Sequence, residues 1–575
     1  MVIRAFRNYP FVPERHAAQL PGLVRGVDRQ RHSVAIVGGG IAGFACALAL
    51  ACYGVRSVVL EADDTVCVGS RAICISRRSM EILARCGALK AFLAKGLPWT
   101  GGRSFFRNAE VLRFSMPHDE NQRLPPMMNL QQYYIEKFLL EAAQESGLVE
   151  VRWQSVVGAI EEAADGVRVN VDTPLGSYGL SADWLVGCDG ARSVVREAAG
   201  LKLHGTSYEG KYVIVDLALS SERATERLAW FDPPTNPGST ILMHRQPEDI
   251  WRIDYQLRDG EDSEAAVRPE NVIPRVESHL RMIGERDDWA PIWISLYKAN
   301  ALTLESYRKR RLLLAGDAAH LVPIFGVRGA NSGFEDADNL AWKLALVIAG
   351  VAGEELLDSY SAERVYAARE NLRQSTKSTE FMSPPSFGFK LMRTAVLGLA
   401  VEHDFLRPLI NPRQTQPVSY LDSSLNGSSV GEFSAGPVPG SVAQECPLTL
   451  FGSDGVHESH VTDLLGPRFT ALYFTQSAGV SRELGHLEQA LRASGIPFRL
   501  VMLAREHPAN GSAGCAWDHT GRLFPMYGAA PGTIYLLRPD GHVLARWQRG
   551  TAEGVRNAIA HALHASGSHS KESAQ

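Results

Sequence analysis

Short, wholly apolar runs alternate with longer amphipathic stretches in the first third of the chain. This is the pattern of strands buried on both faces between covering helices. Val34–Val37 is such a run and predicts a buried parallel strand. A turn at residues 38–43 follows, then a helical stretch at Phe44–Tyr53 and a second strand at Ser57–Leu60. Helices are predicted near Ser79–Cys86 and Gln131–Gln144, and strands at Val149–Trp153, Val167–Val171 and Trp184–Cys188. Between about 205 and 300 the texture changes. Alternating segments such as Thr240–Arg245 and Trp251–Leu257 predict antiparallel strands in a separate layer. A short buried strand returns at Arg311–Ala315, followed by a long helix at Gly333–Ala349. Phe334, Ala337, Ala341, Leu344 and Ile348 form one face of that helix.

The pattern divides the chain. Residues 1–32 read as an irregular lead-in, and residues 33–204 with 301–414 as one discontinuous α/β unit. Some strands of the second layer are expected inside 90–130, and its main body at 205–300. Residues 415–445, rich in Ser, Gly and Pro, read as a linker. A last α/β alternation occupies 446–560, with strands at Thr470–Phe474, Phe498–Met502, Thr533–Arg538 and Val543–Trp547, and a disordered tail is expected at 561–575.

Composition narrows the function classes. At 575 residues, three or four structural units are expected. Lys and Arg total 59 against 63 Asp and Glu, a net charge of −4, so no electrostatic footprint for nucleic acid or an acidic membrane is present. The eight cysteines contain no CxxC pair and match neither a disulfide scaffold nor a zinc site. They read as buried hydrophobes in a reducing compartment, and no metal is expected. No apolar run approaches the roughly 20 residues of a membrane span, and no signal-peptide core is evident. A cytoplasmic protein is expected.

Three motifs carry the chemistry. Gly38, Gly40 and Gly43 follow a strand and open a helix, and Glu61 ends the next strand. This spacing suits a dinucleotide whose pyrophosphate meets the helix N-terminus and whose ribose diol meets the carboxylate. Gly316-Asp317-Ala318-Ala319-His320 ends a buried strand, and Gly329, Asn331 and Gly333 precede the long helix. An aspartate there can accept a hydrogen bond from a ribityl hydroxyl, and the helix N-terminus can hold charge at the edge of a reduced flavin. These features choose FAD over NAD. Asp189-Gly190-Ala191-Arg192-Ser193 ends a third buried strand.

With VGGGIAGFACALAL at 37–50, SRAICIS at 70–76, GCDGARSVVR at 187–196 and GDAAHLVPIFGVRGANSGFEDADNLAWKLA at 316–345, the chain resembles the class A FAD-dependent aromatic hydroxylases. YLLRPDGHVLARW at 535–547 resembles the thioredoxin-like C-terminal domain of the phenol hydroxylase and 3-(3-hydroxyphenyl)propionate hydroxylase branch. The resemblance implies a Rossmann-like, glutathione-reductase-type FAD domain, an inserted antiparallel substrate sheet and a C-terminal thioredoxin-like α/β domain, here without CxxC.

It also implies tight, non-covalent FAD, NADH or NADPH and O2 as co-substrates, and a homodimer. The reaction implied is hydroxylation of a phenol or phenolic acid through a flavin C4a-hydroperoxide, in aromatic catabolism. By the same resemblance Arg71 and Gln132 contact FAD, Asp189 serves FAD and NAD(P)H, and Asp317 holds the ribityl chain. Gly329, Ala330 and Asn331 cradle the ring edge, and Pro323 lies near flavin and substrate.

Many members have two successive prolines where this chain has Pro323-Ile324, and a Gly-Gly pair where it has Gly326-Val327. The first change resembles the 3-(3-hydroxyphenyl)propionate branch. His244, Arg245 and Tyr255 are the substrate-side candidates, chosen by region. His320 reads as structural. A flavin halogenase is disfavoured because its GWxWxIP segment is absent. An enzyme acting on a polyketide or other natural-product ring, and a non-hydroxylating flavin-binding relative, remain as alternatives.

Overall fold

The structure is a computed structural model, which describes residues 4–258, 260–285, 288–410, 416–452, 455–477, 479–508 and 514–564. Its central sheet has nine strands. Val27–Val37 lies between Ser57–Leu60 and Gly176–Gly187, parallel to both, and Leu312–Leu314 adds in parallel beside Gly176–Gly187. The apolar run at 34–37 is buried on both faces, as a parallel strand requires. Helices Ile41–Cys52 and Gly329–Ile348 pack on one another beneath it.

A second sheet of eight strands runs His320–Leu321, Trp289–Thr303, His204–Leu219, Ile250–Gln256, Thr240–Gln246, Arg227–Phe231, Gly101–Phe106 and Ala109–Ser115. One face packs on helix Pro269–Met282 through Met243, Trp251, Ile253, Val272 and Val276. The other face turns toward the central sheet. Helix Phe387–Ala400, assigned from sequence to the α/β unit, instead buries Leu397 and Ala400 against Phe106, Leu112 and Phe231 of this second sheet.

The lead-in is more ordered than expected. Val27–Val37 begins before residue 33 and is extended by a tight hairpin to Leu23–Val24. Upstream, Phe11 stacks on Tyr133, and the Tyr9 hydroxyl donates to Asp216 at 2.6 Å. The expected linker is also built in. Tyr420 and Leu425 are buried, and Ser429–Val430 forms the edge strand of the C-terminal sheet. Residues 561–564, expected in a disordered tail, belong instead to helix Ala552–His564, which buries Ala562 and Leu563. Residues 565–575 lie outside the described residues.

A buried ionic cluster joins the C-terminal sheet to the central unit. Arg538 donates to both carboxylate oxygens of Glu363, at 2.6 and 2.9 Å, and Lys343 donates to the same carboxylate at 2.7 Å. All three side chains are almost wholly buried. The two cations hold the Glu363 carboxyl below its ordinary range despite burial. Glu363→Ala would leave Lys343 out of water with no ion-pair partner and Arg538 with Asp540 alone. Its expected cost is about 3–5 kcal/mol, measured by chemical denaturation, whereas a surface control such as Glu162→Ala should cost little.

Candidate functional site

The turn after Val27–Val37 is shaped by contact. Gly38 has φ +97° and donates its amide to Leu60 at 2.8 Å. A Cβ on Gly43 would lie 1.9 Å from the Gly38 carbonyl oxygen, so the helix can approach the turn only with glycine there. Helix Ile41–Cys52 has no side-chain cap and no acid in its first turn, which leaves its N-terminal amides and positive dipole end for an anion. Glu61 ends the neighbouring strand. It accepts from the Gly39 amide, and from Asp63 at 2.8 Å. Burial raises its carboxyl's pKa.

Gly40, Arg71, Gln132, Asp317, Gly329, Ala330 and Asn331 come together on one wall of a cavity of about 380 Å³. Their roles in the protein differ. Gln132 accepts from the amides of Arg71 and Ala72 at 3.2 and 3.0 Å and donates to Glu136, so it fixes the 70–72 loop. The Asn331 side chain spans Ser76, Ser79, Cys74 and Val327 and is fully engaged. Asp189 accepts from Ser193 Oγ, the cap of helix Val194–Ala198, and from the Val195 amide, leaving Cys188 and Gly190 to face the cavity. Pro323 is buried in protein, and its neighbours Val322 and Ile324 form the wall. Asp317 is exposed into the cavity and has no side-chain hydrogen bond among the described residues.

His320 is tied to Asp336 at 2.7 Å, and Asp336 is gripped by Arg364 at 2.6 Å. Arg364 and then His320 pull the Asp336 carboxyl down to about 2 against the upward push of burial. This histidine is structural. Val327 has φ +61°, a conformation that costs a β-branched residue strain, and the bond from Asn331 to its carbonyl holds it there.

The opposite wall is the second sheet. His244 lines the cavity, but Arg245 and Tyr255 do not. Strand pairing explains the correction. His244 sits opposite Arg252, and Leu242 opposite Asp254, all on the cavity face. Arg245 pairs with Trp251 and Tyr255 with Ile241, on the face that packs against helix Pro269–Met282. Arg245 is used by the Arg223 carbonyl and Asp249, and Tyr255 lies under Arg275.

The sequence reading therefore missed Arg227, Arg252 and Asp254. The signal was period two: positions 252 and 254 share a face, and both are charged within a buried strand. Arg252 pairs with Asp216 at 2.8 Å and donates to the Ser70 and Arg71 carbonyls, locking the sheet to the loop. Asp254 is 6% exposed, and its Oδ1 has no partner. Burial raises its carboxyl to about 7. Burial, with Arg227 and Arg252 nearby, lowers His244 to about 3, so the imidazole is neutral.

A family model described as an FAD binding domain matches residues 31–375. The chain belongs to this family, as a class A FAD-dependent aromatic hydroxylase. The hydroxylase is 33% identical to a 3-(3-hydroxy-phenyl)propionate/3-hydroxycinnamic acid hydroxylase of Mycolicibacterium smegmatis, over 88% of this chain and 89% of that protein. It is 30% identical to a protein of the same name from Klebsiella pneumoniae, over 89% and 91%. Among solved structures, the flavin-dependent monooxygenase PieE, in complex with FAD and substrate, superposes with a TM-score of 0.78 at 23% identity, covering 93% of this chain and 99% of that one.

The residues present fit FAD. Gly329 borders open cavity space, and a Cβ at Gly40 would meet only Glu136 Oε1 at 3.8 Å, so a side chain at either position would extend into the cavity. Asp317 is an unengaged acceptor, and the two uncapped helix N-termini of Ile41–Cys52 and Gly329–Ile348 suit a pyrophosphate and an anionic ring edge. Among the described residues no helix is long and apolar enough to cross a membrane, and no group of His, Cys, Asp and Glu could hold a metal ion.

Proposed function

We propose that the hydroxylase acts on a phenolic acid such as 3-(3-hydroxyphenyl)propionate, with Asp254 accepting the proton of the ring hydroxyl at Oδ1. The observation that carries this reading is a cavity that has the FAD-side residues on one wall and an unpartnered buried carboxyl on the other. The names of the relatives supply the ring class. Gly38, Gly40, Gly43 and Glu61 would hold the ADP half of FAD, and Asp317 and the backbone at 329–331 its ribityl chain and ring edge. When bound, the flavin supplies electrons from NAD(P)H to dioxygen. Removing the hydroxyl proton makes the ring electron-rich enough to attack an electrophilic oxygen. Neutral His244 can hydrogen-bond the substrate without competing for the proton. The overall balance is one phenol, one O2, one NAD(P)H and one proton in, and one dihydroxylated ring, one NAD(P)+ and one water out.

The test is simultaneous measurement of NAD(P)H loss, O2 uptake and product on a panel of phenols and phenolic acids. Tight coupling for a phenolic acid is expected. NAD(P)H loss without a hydroxylated product across the panel would refute the proposal.

A homodimer and a cytoplasmic location complete the proposal. The first is supported by exposed Phe387, Leu391, Met392, Phe405 and Leu409 along one region, and the second by eight free cysteines. Sedimentation of the holoenzyme at twice the monomer mass is expected, and a monomer at all concentrations would exclude the dimer. In the C-terminal unit, strands Phe469–Thr475 and Phe498–Ala504 are parallel, with helices Arg482–Ala493 and Ala552–His564 alongside. That arrangement supports a thioredoxin-like scaffold, with the buried Cys446 and Cys515 serving packing.

A further inference from the structure

We infer that Arg227 is the group that recognises the carboxylate of the substrate. This assignment rests on the phenolic-acid reading above and adds the residue that selects an acid over a neutral phenol.

Arg227 begins the strand Arg227–Phe231, is 3% exposed and lines the cavity. Among the described residues its guanidinium has no ion pair and no hydrogen bond, and Nη1 is buried without a partner. A buried guanidinium without a counter-charge costs several kcal/mol relative to one in water. The neighbouring cation shows the contrast. Arg252, on the same face, is saturated by Asp216 and by the Ser70 and Arg71 carbonyls. None of the groups around Arg227 binds it directly. Cys74 is a thiol whose burial pushes it up to about 12, His244 is neutral, and Asp254 attracts Arg227 across the cavity but makes no hydrogen bond or ion pair with it. Burial lowers Arg227 to about 10, so it still carries its charge at neutral pH.

Sheet geometry sets the spacing. Leu228 pairs with Met243, and Leu242 with Asp254, so Arg227 and Asp254 are two strands and two residues apart on the same face. With strands about 4.8 Å apart and a rise near 3.4 Å per residue, their Cα atoms are roughly 12 Å apart. Side chains reaching inward from such positions can hold the two ends of one ligand: an acid at the guanidinium and a ring hydroxyl at the carboxyl. A planar guanidinium suits a carboxylate through paired N–H donors.

The experiment compares wild type with Arg227→Met and Arg227→Lys, all loaded with FAD. The probes are 3-(3-hydroxyphenyl)propionate and the corresponding neutral primary alcohol. Substrate Kd is read from the change in flavin absorbance, and coupled product formation gives kcat and KM. In wild type the acid is expected to bind at least tenfold more tightly than the alcohol. Arg227→Met is expected to weaken the acid roughly 30- to 1000-fold, with the alcohol changed less than threefold, and Arg227→Lys should recover part of the loss.

Equal losses for acid and alcohol would overturn the assignment, since Arg227 would then act on the ring or on the fold. Unchanged acid affinity in Arg227→Met would also overturn it. If the variants fail to fold, the wild-type comparison still decides, because equal affinity for acid and alcohol contradicts an acid-reading cation. Tight binding of the acid without hydroxylation of either probe would refute the proposed reaction while leaving this assignment standing.

Discussion

Asp254→Asn is expected to lower kcat on a phenolic acid by roughly 100- to 10 000-fold, with FAD still bound and substrate affinity changed far less. The amide preserves shape but cannot take a proton. The pH dependence gives the sharper signature. Burial raises the Asp254 carboxyl to about 7, helped by Asp216 and opposed by Arg252 and Arg227. Below that pH the group is protonated and cannot accept; above it the carboxylate can. Wild-type kcat should rise with pH through a midpoint near 7. His244 does not titrate in that window, because burial and the same two arginines hold it neutral. The midpoint should vanish in Asp254→Asn, and an unchanged profile would exclude Asp254 as the acceptor.

Stability moves in the opposite sense. A carboxyl whose folded-state pKa is raised binds its proton more tightly folded than unfolded. Folding stability is therefore lost as pH climbs from the ordinary carboxylate range to about 7. The asparagine variant should lack that loss.

The second large effect is at the turn. Gly43→Ala places a Cβ 1.9 Å from the Gly38 carbonyl oxygen, a contact that backbone on both sides prevents from relaxing. The helix start must move, and with it the amides that would meet the pyrophosphate. Loss of copurifying FAD is expected, with FAD Kd raised at least roughly 100-fold, since displaced amides forfeit several charge-assisted bonds worth about 1.5–3 kcal/mol each. Fluorescence titration of the apoprotein measures this. Gly485→Ala provides a control at an exposed helical glycine outside the left-handed region, whose Cβ would meet only Val480 at 3.8 Å. Full FAD occupancy in Gly43→Ala would contradict the assigned role of the turn.

The cofactor half of the site was legible because its chemistry is local. Gly38, Gly40, Gly43, Glu61 and Asp317 are specified by backbone turns and strand ends that leave marks within a few residues. The substrate half is read by region, and its three residues divide between the two faces of the sheet. His244 faces the cavity, and Arg245 and Tyr255 face the helix behind the sheet. Register decides this, since a shift of one residue inverts every side chain. Arg227 could not be found locally, because its meaning lies in a missing partner, which depends on contacts distant in sequence. Helix Leu356–Met382 escaped for a related reason. Its buried face mixes Leu357, Val365 and Ala368 with Glu363, Arg364 and Asn371, which other elements satisfy, so apolar periodicity marks it weakly.

The most direct test is turnover of the FAD-loaded protein with 3-(3-hydroxyphenyl)propionate and NAD(P)H under isotopically labelled dioxygen, with the product read by mass spectrometry. One labelled oxygen atom per product ring, formed in step with NAD(P)H loss, is the expected result. Unlabelled product, or NAD(P)H consumed with all the label recovered in hydrogen peroxide, would contradict hydroxylation in this cavity.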